Sequence, residues 1–141
     1  MSTMQFTSQD IEIMARTLYG EVRGEPWDGK VAVAWVIRNR AESDVKRWQG
    51  GVAAVCLSPK QFSCWNAGDP NRPKLLAAKP AEVAFRECLA AAAWVLGEAA
   101  TDPTHGSLNY YAAGIKAPGW ALGRTPVKQI GNHVFFNDIQ N

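Results

Sequence analysis

The segment that most constrains this fold is an unbroken apolar run, Val31 to Ile37. Such a run suits either a buried strand or a helix that is buried on several sides. The helix is favoured, because Arg38 to Arg40 extend the segment beyond the usual length of a strand. Pro26 suits the first position of a helix, where its missing N–H has no consequence. The pattern therefore predicts a central helix that runs to about Glu42.

A first helix precedes this segment and ends in an acidic junction. Thr7 or Ser8 can cap it, and apolar residues recur at helical spacing over 11–18. Glu21 then falls near its C-terminal end, within the stretch 19–25. A carboxyl group next to glycine and aromatic surface resists ionisation, because desolvation penalises its charged form. Glu21 is therefore a candidate general acid.

The middle of the chain predicts one short helix and one long helix. Residues 43–79 are expected to be mostly irregular, with a short helix near Gly51 to Leu57 and a loop over 68–73. A long alanine-rich helix is expected from about Pro80 to Leu96. Gly97 is placed to end that helix.

The C-terminal part predicts two short strands, Leu108 to Tyr111 and His133 to Phe136. A hydrophobic content of 47% supports a substantial core. The length of 141 residues fits a single domain over residues 1–141. The expected fold class is mainly α with minor β (α+β).

Charge and hydropathy exclude several classes of protein. The net charge of +2 is too small for a protein that binds nucleic acid through many phosphate contacts. Residues 1–7 lack the basic and then apolar pattern of a signal peptide, and no apolar stretch reaches the roughly 20 residues that span a bilayer. We expect a protein made in the cytoplasm, with no nucleic-acid partner and no membrane insertion.

Metal and cofactor sites are not predicted. Cys56, Cys64 and Cys88 are an odd number of cysteines and are expected to be buried free thiols. His105 and His133 have no ligand spacing with each other or with the cysteines. The sequence also has no glycine-rich phosphate-binding loop and no serine nucleophile elbow.

Two further clusters have the composition of a carbohydrate site. Residues 61–66 alternate polar and aromatic side chains, which can bond to sugar hydroxyls and stack on sugar C–H surfaces. The alternative is an ordinary loop that Phe62 and Trp65 anchor in the core. Tyr110 and Tyr111 are expected on opposite faces of a strand, so that one of them can reach a cleft.

Several blocks of this chain resemble the SleB-type cell wall hydrolases, which include spore-cortex-lytic enzymes and phage-encoded relatives. The likeness extends from about Ile11 to Phe136. Val22 and Arg38 depart from the usual family residues, and Arg38 puts in doubt the burial of the central helix on every side. The matching blocks, in the family's order, are residues 19–26, 29–40, 61–66, 102–104, 110–111 and 130–135.

The resemblance implies a lysozyme-like fold related to the lytic transglycosylases. It implies cleavage of the bond between N-acetylmuramic acid and N-acetylglucosamine in peptidoglycan, with the catalytic acid at Glu21. Gln61, Ser63 and Tyr111 are then expected to line the glycan cleft. Tyr110 is expected to be more structural, although it remains a candidate binding residue.

A second carboxylate is less well defined in the sequence. Most glycosidases use two, and Glu25 and Asp28 follow Glu21 closely. Gly24 and Pro26 interrupt the helix, so the sequence does not secure a pair of carboxyls on one face. Glu25 is a further candidate for binding the substrate.

Two alternatives remain open at this point. A muramidase on the same fold would use Glu25 or Asp28 as the base that activates water. A glycan-binding or virion structural protein would keep the cleft without turnover. The absence of an export signal and of a peptidoglycan-binding module favours a phage or prophage endolysin. That protein is expected to be a monomer that reaches the cell wall after holin-dependent release.

Overall fold

The computed structural model describes residues 5–59, 61–97 and 101–141, and five α-helices and a three-stranded sheet lie in that part. The predicted fold, mainly α with minor β, is confirmed. Within the described ranges no helix is both long enough and apolar enough to span a bilayer. The elements are α1 (Ser8–Val22), α2 (Trp27–Ala41), α3 (Val52–Leu57), α4 (Asn71–Ala77), α5 (Val83–Leu96), β1 (Asn109–Ala112), β2 (Lys128–Ile130) and β3 (His133–Phe136).

Helices α1 and α2 confirm the predictions made from the N-terminal third. Thr7 caps α1 reciprocally: its hydroxyl accepts from the Asp10 amide at 3.1 Å, and its amide donates to the Asp10 carboxylate at 2.8 Å. Helix α2 is buried continuously from Gly29 to Ile37, and Pro26 lies at its N-cap rather than inside it. The apolar run is therefore the central helix of the molecule.

Helix α5 packs on α1 and α2 and ends at Gly97, as predicted, although it begins at Val83 rather than near Pro80. Arg38, which departs from the usual family residue, has a clear structural role. It donates to the carbonyls of Val95 at 2.7 Å and Gly97 at 3.3 Å. Arg38 therefore satisfies the C-terminal carbonyls of α5 from the edge of the core.

The predicted loop over 68–73 is wrong in its second half, because helix α4 begins at Asn71. The Asp69 carboxylate accepts from the Asn71 amide at 2.8 Å, across Pro70, which is the N-cap residue of the helix. At its other end, Arg16 of α1 donates to the carbonyls of Leu75 at 2.6 Å and Ala78 at 3.1 Å. Because these C-terminal partners come from a distant part of the chain, local sequence does not reveal them.

The sheet has the antiparallel order β1-β3-β2. Strands β1 and β3 were predicted, whereas β2 was missed. Strands β2 and β3 are joined through Gly131 and Asn132, with Ile130 paired to His133. Gly131 has φ +57°, the left-handed conformation that tight hairpin loops require at this position.

Candidate active site

Glu21 lies in the last turn of α1, partly buried against the 3-10 turn Ser63–Trp65. Burial raises the pKa of Glu21 above its ordinary value. The backbone amide and thiol of Cys64 favour the charged form and oppose that rise, while the negative charge of Asp69 adds to it. The net direction is upward, so Glu21 holds a proton at higher pH than an ordinary glutamic acid.

A glycine allows this close packing around Glu21. A Cβ atom added to Gly20 would lie 2.6 Å from Cys64 Cβ and 2.8 Å from Leu75 Cδ2. The indole N–H of Trp65 also donates to the Thr17 hydroxyl at 2.9 Å. The 3-10 turn and α4 are therefore docked on the last two turns of α1. The importance of Gly20 was not predictable from the sequence, because its neighbours Cys64 and Leu75 come from other elements.

Asp69 is a second residue that the sequence did not reveal. Its charge raises the pKa of the Glu21 carboxyl, and one of its oxygens accepts from the amide of Asn71, the first residue of α4. An Asp-Pro pair ahead of Leu75 and Leu76 is a helix-start signal, which could have located Asp69 at the beginning of α4. Nothing in its sequence neighbourhood indicates that it lies near Glu21.

The two tyrosines lie on opposite faces of β1, as strand alternation predicts. Tyr110 packs against the main core, where burial and then the charge of Glu21 raise the pKa of its hydroxyl. Tyr111 packs on the other face, against Phe136 and Trp120, with ring centroids 5.9 Å away in both cases. The expectation that Tyr111 lines the glycan cleft and that Tyr110 is more structural stays a prediction.

Gln61 and Ser63 lie on the segment that carries Cys64. Gln61 Oε1 accepts from Arg40 Nη1 at 3.2 Å, and its side chain lines a cavity of about 410 Å³ together with Tyr110. Ser63 is exposed at the start of the 3-10 turn. The structure therefore brings the segment of Gln61 and Ser63 to Glu21.

Glu25 has a different environment, in which both carboxylate oxygens are engaged. Its Oε1 accepts from the Asn132 amide at 3.0 Å, and its Oε2 accepts from Asn132 Nδ2 at 2.9 Å. Nδ1 of His133 lies 3.3 Å from Oε1. Burial by itself raises the pKa of Glu25, but the Asn132 hydrogen bonds and His133 outweigh it, so the net shift is downward. These contacts point to a structural role at the hairpin.

The cysteines are free and buried, as predicted, and Cys64 contributes to the environment of Glu21. Burial raises the pKa of the Cys64 thiol, and the neighbouring Glu21 raises it further. The thiol is therefore a poor nucleophile. In the ranges that the structure describes, no group of three or more His, Cys, Asp or Glu side chains is arranged to hold a metal ion.

Comparison with known proteins identifies the family. The family described as Cell Wall Hydrolase matches residues 24–136. This chain belongs to that family. It is 35% identical over 132 residues to a spore cortex-lytic enzyme of Halalkalibacterium halodurans and 34% identical over 131 residues to that of Bacillus subtilis. These alignments cover 94% and 92% of this chain, but only 36% and 38% of the relatives.

Two solved structures have the same fold. The catalytic domain of the Bacillus cereus SleB protein superposes with a TM-score of 0.70 at 32% identity, covering 93% of this chain and 91% of that one. The catalytic domain of the germination-specific lytic transglycosylase SleB from Bacillus anthracis gives a TM-score of 0.68 at 32% identity, covering 93% and 96%. The predicted lysozyme-like α+β fold of SleB type is confirmed.

Proposed function

We propose that this chain is a lytic transglycosylase that cleaves the bond between N-acetylmuramic acid and N-acetylglucosamine in peptidoglycan, with Glu21 as both acid and base. The observation that carries the proposal is the partly buried Glu21 carboxyl, whose pKa is raised. The fold supports it, because one solved structure of the same fold is described as a lytic transglycosylase. The enzyme class follows from the cell wall hydrolase family.

The chemistry needs only one carboxyl group. Glu21 gives its proton to the glycosidic oxygen as the bond to C1 of the muramic residue breaks. An oxocarbenium-like centre forms at C1, and Glu21 is left as a carboxylate. That carboxylate takes the proton from the C6 hydroxyl of the same sugar while O6 bonds to C1. The products are a 1,6-anhydromuramic end and a free hydroxyl on the leaving sugar, and Glu21 is protonated again.

Water-using muramidase activity is the second candidate. It is favoured by a second carboxylate, Asp69, whose charge acts on Glu21. An inverting hydrolase needs a second carboxylate beside the acid. From the sequence, Glu25 and Asp28 were the candidates for this role. Both oxygens of Glu25 are engaged by Asn132 and His133, whereas Asp69 uses one oxygen on the Asn71 amide and its charge raises the pKa of Glu21. Asp69 is therefore the base to test.

The deciding experiment is mass spectrometry of the fragments that the purified protein releases from sacculi. We expect 1,6-anhydromuramic ends, which require no added water. Reducing muramic ends would show a hydrolase instead. Failure of the folded protein to release any fragment would contradict both enzymatic proposals and favour a glycan-binding protein.

The same assay tests the role of Glu21. We expect Glu21→Gln to lower the rate by at least about 10²–10⁴-fold, since the amide cannot donate the proton. Glu12→Gln is the matched control, because Glu12 lies on the same helix with its side chain 62% exposed. A folded Glu21→Gln protein with near wild-type activity would refute the assignment.

We also propose peptidoglycan strands as the substrate and residues 1–141 as one catalytic unit. The likeness to solved catalytic domains over more than nine-tenths of this chain supports that extent. The monomeric state, the phage or prophage setting and the holin-dependent release stay predictions from the sequence.

A further inference from the structure

A cavity next to Tyr110 carries positive charge that the proposed mechanism does not use. It has a volume of about 410 Å³, within the range of ligand pockets. The segment of Gln61 connects the cavity to the catalytic side, because Gln61 lines the cavity and Cys64, three residues later, packs closely against Gly20 next to Glu21. The cavity is lined by Arg40, Arg47, Gln61, Asn109, Tyr110 and Trp120, and residues 139–141 also line it.

Arg40 is the buried member of the arginine pair, with 6% of its surface exposed. Its Nε donates to the Leu108 carbonyl at 2.7 Å and its Nη1 to Gln61 Oε1 at 3.2 Å. Its guanidinium lies 4.8 Å from the centre of the Trp48 ring. Burial lowers the pKa of Arg40 to about 10, so the group remains charged at neutral pH.

Arg47 adds a second positive charge to the same wall. It is exposed, and its guanidinium lies 4.5 Å from the centre of the same Trp48 ring. Within the described part of the chain, no carboxylate lies within 4.0 Å of a nitrogen of Arg40 or Arg47. A buried charge is normally paired, because desolvation is costly. Two adjacent guanidinium groups beside a cavity therefore favour an anionic ligand.

We propose that this cavity binds a carboxylate of the peptide stem that peptidoglycan carries on its muramic acid residues. The inference rests on the proposed function, which brings a muramic residue to Glu21. The sugars of the strand offer neutral hydroxyl and acetamide groups, whereas the stem carries carboxylates at neutral pH. The cavity is larger than one carboxylate needs, so a stem residue fits beside Trp120 and the amides. Arg40 is the fixed partner of the carboxylate and Arg47 the mobile one.

The test compares three forms of the same sacculi. The first is untreated, the second has its carboxyls converted to neutral amides by carbodiimide coupling, and the third is stripped of stems by an amidase, which leaves the lactyl carboxylate. We expect the wild-type kcat/KM to be about tenfold higher on untreated than on amidated strands, the effect of one charge-assisted contact. Stripped strands should react like the amidated ones.

Variants assign the effect to the cavity. Arg47→Gln should lower the ratio between untreated and amidated strands, because only Arg40 then pairs with the carboxylate. Arg86→Gln is the matched control, since Arg86 is an exposed arginine on α5 away from this cavity, and it should keep the wild-type ratio. An unchanged ratio in Arg47→Gln would overturn the proposal. A stripped strand that reacts as fast as an untreated one would also overturn it and identify the lactyl group instead.

Binding provides a readout that does not depend on cleavage. Glu21→Gln protein should bind a soluble disaccharide-tetrapeptide about tenfold more tightly than its amidated form in calorimetry, and adding Arg47→Gln should reduce the difference. Equal affinities would contradict the carboxylate site even if the wild type releases anhydro ends. A clear difference in affinity without any cleavage would instead leave the site standing and contradict the proposed function.

Discussion

At the scale of single residues, Glu21 and Glu25 have opposite environments although they are close in sequence. The pKa of Glu21 is raised, because burial and the charge of Asp69 outweigh the donors of Cys64. The pKa of Glu25 is lowered, because the Asn132 donors and His133 outweigh its burial. One carboxyl is suited to release a proton during a reaction, and the other is held as an anion.

The charge of Asp69 gives a testable pH dependence. The free enzyme must hold a proton on Glu21, so kcat/KM falls as pH rises through the pKa of that group. Asp69→Asn removes a negative charge and makes Glu21 easier to ionise. We expect the alkaline limb of kcat/KM to move to lower pH, with cleavage retained. The side-chain oxygen of asparagine can still accept from the Asn71 amide, so α4 should persist.

The measurement is the rate of fragment release against pH for wild type and Asp69→Asn. If Asp69 is instead the base of a hydrolase, the variant should lose about 10²–10⁴-fold at every pH. A profile that is identical to the wild type would show that the Asp69 charge does not act on Glu21.

At the scale of elements, local pattern predicted α1, α2, α3, α5, β1 and β3 but not α4 or β2. The missed elements are short and depend on partners from elsewhere in the chain. Helix α4 is held at its end by Arg16, and β2 forms its ladder with β3. The same distinction applies to the site. Glu21 could be recognised from its own segment, whereas the roles of Gly20 and Asp69 depend on neighbours that are distant in the sequence.

The contact of α1 with the 3-10 turn predicts a large difference between two similar substitutions. In Gly20→Ala the new methyl would meet Cys64 Cβ and Leu75 Cδ2 at less than 3 Å, so α4 or the turn must move. We expect a loss of about 1–3 kcal/mol in the free energy of unfolding, even though alanine favours helix by about 1 kcal/mol. Cleavage should fall as well, since the turn carries Cys64 against Glu21.

Gly24→Ala is the matched control for this substitution. A Cβ added to Gly24 meets no atom within 4 Å, and the residue is exposed. The stability of the Gly24→Ala variant in urea and its rate of cleavage should stay near those of the wild type. Equal unfolding midpoints and equal rates for the two variants would show that the close approach at Gly20 is not required.

At the scale of the whole molecule, one polar contact joins the α1–α2 junction to the C-terminal hairpin. Glu25 holds the Asn132 amide and side chain, and His133 packs edge-on to Tyr110 with ring centroids 5.2 Å apart. Tyr110 in turn lies near Glu21. The resemblance to the family predicted the order of these segments along the chain. It did not predict that Glu25 joins two of them, because nothing in either segment specifies a partner 107 residues away.

We therefore expect Glu25→Ala to release the hairpin. The loss of two hydrogen bonds to a charged, largely buried carboxylate should cost about 1–3 kcal/mol of unfolding free energy and speed hydrogen exchange at the Asn132 amide. Glu12→Ala is the control: its exposed pair with Arg16, 3.6 Å apart, should contribute less than about 1 kcal/mol.

The same contact can be tested by measuring how the stability difference between wild type and Glu25→Ala depends on pH. The direction of that dependence follows from the lowered pKa of Glu25. A carboxyl whose pKa is depressed in the folded state stabilises that state above its unfolded pKa, which is about 4.3 for glutamic acid. That stabilisation is lost as pH falls through the lower, folded-state pKa. The difference in stability between wild type and Glu25→Ala should therefore be full at neutral pH and shrink in acid below about pH 4. A difference that is constant across this range, or no faster exchange at Asn132, would show that the ionised Glu25 does not hold the hairpin.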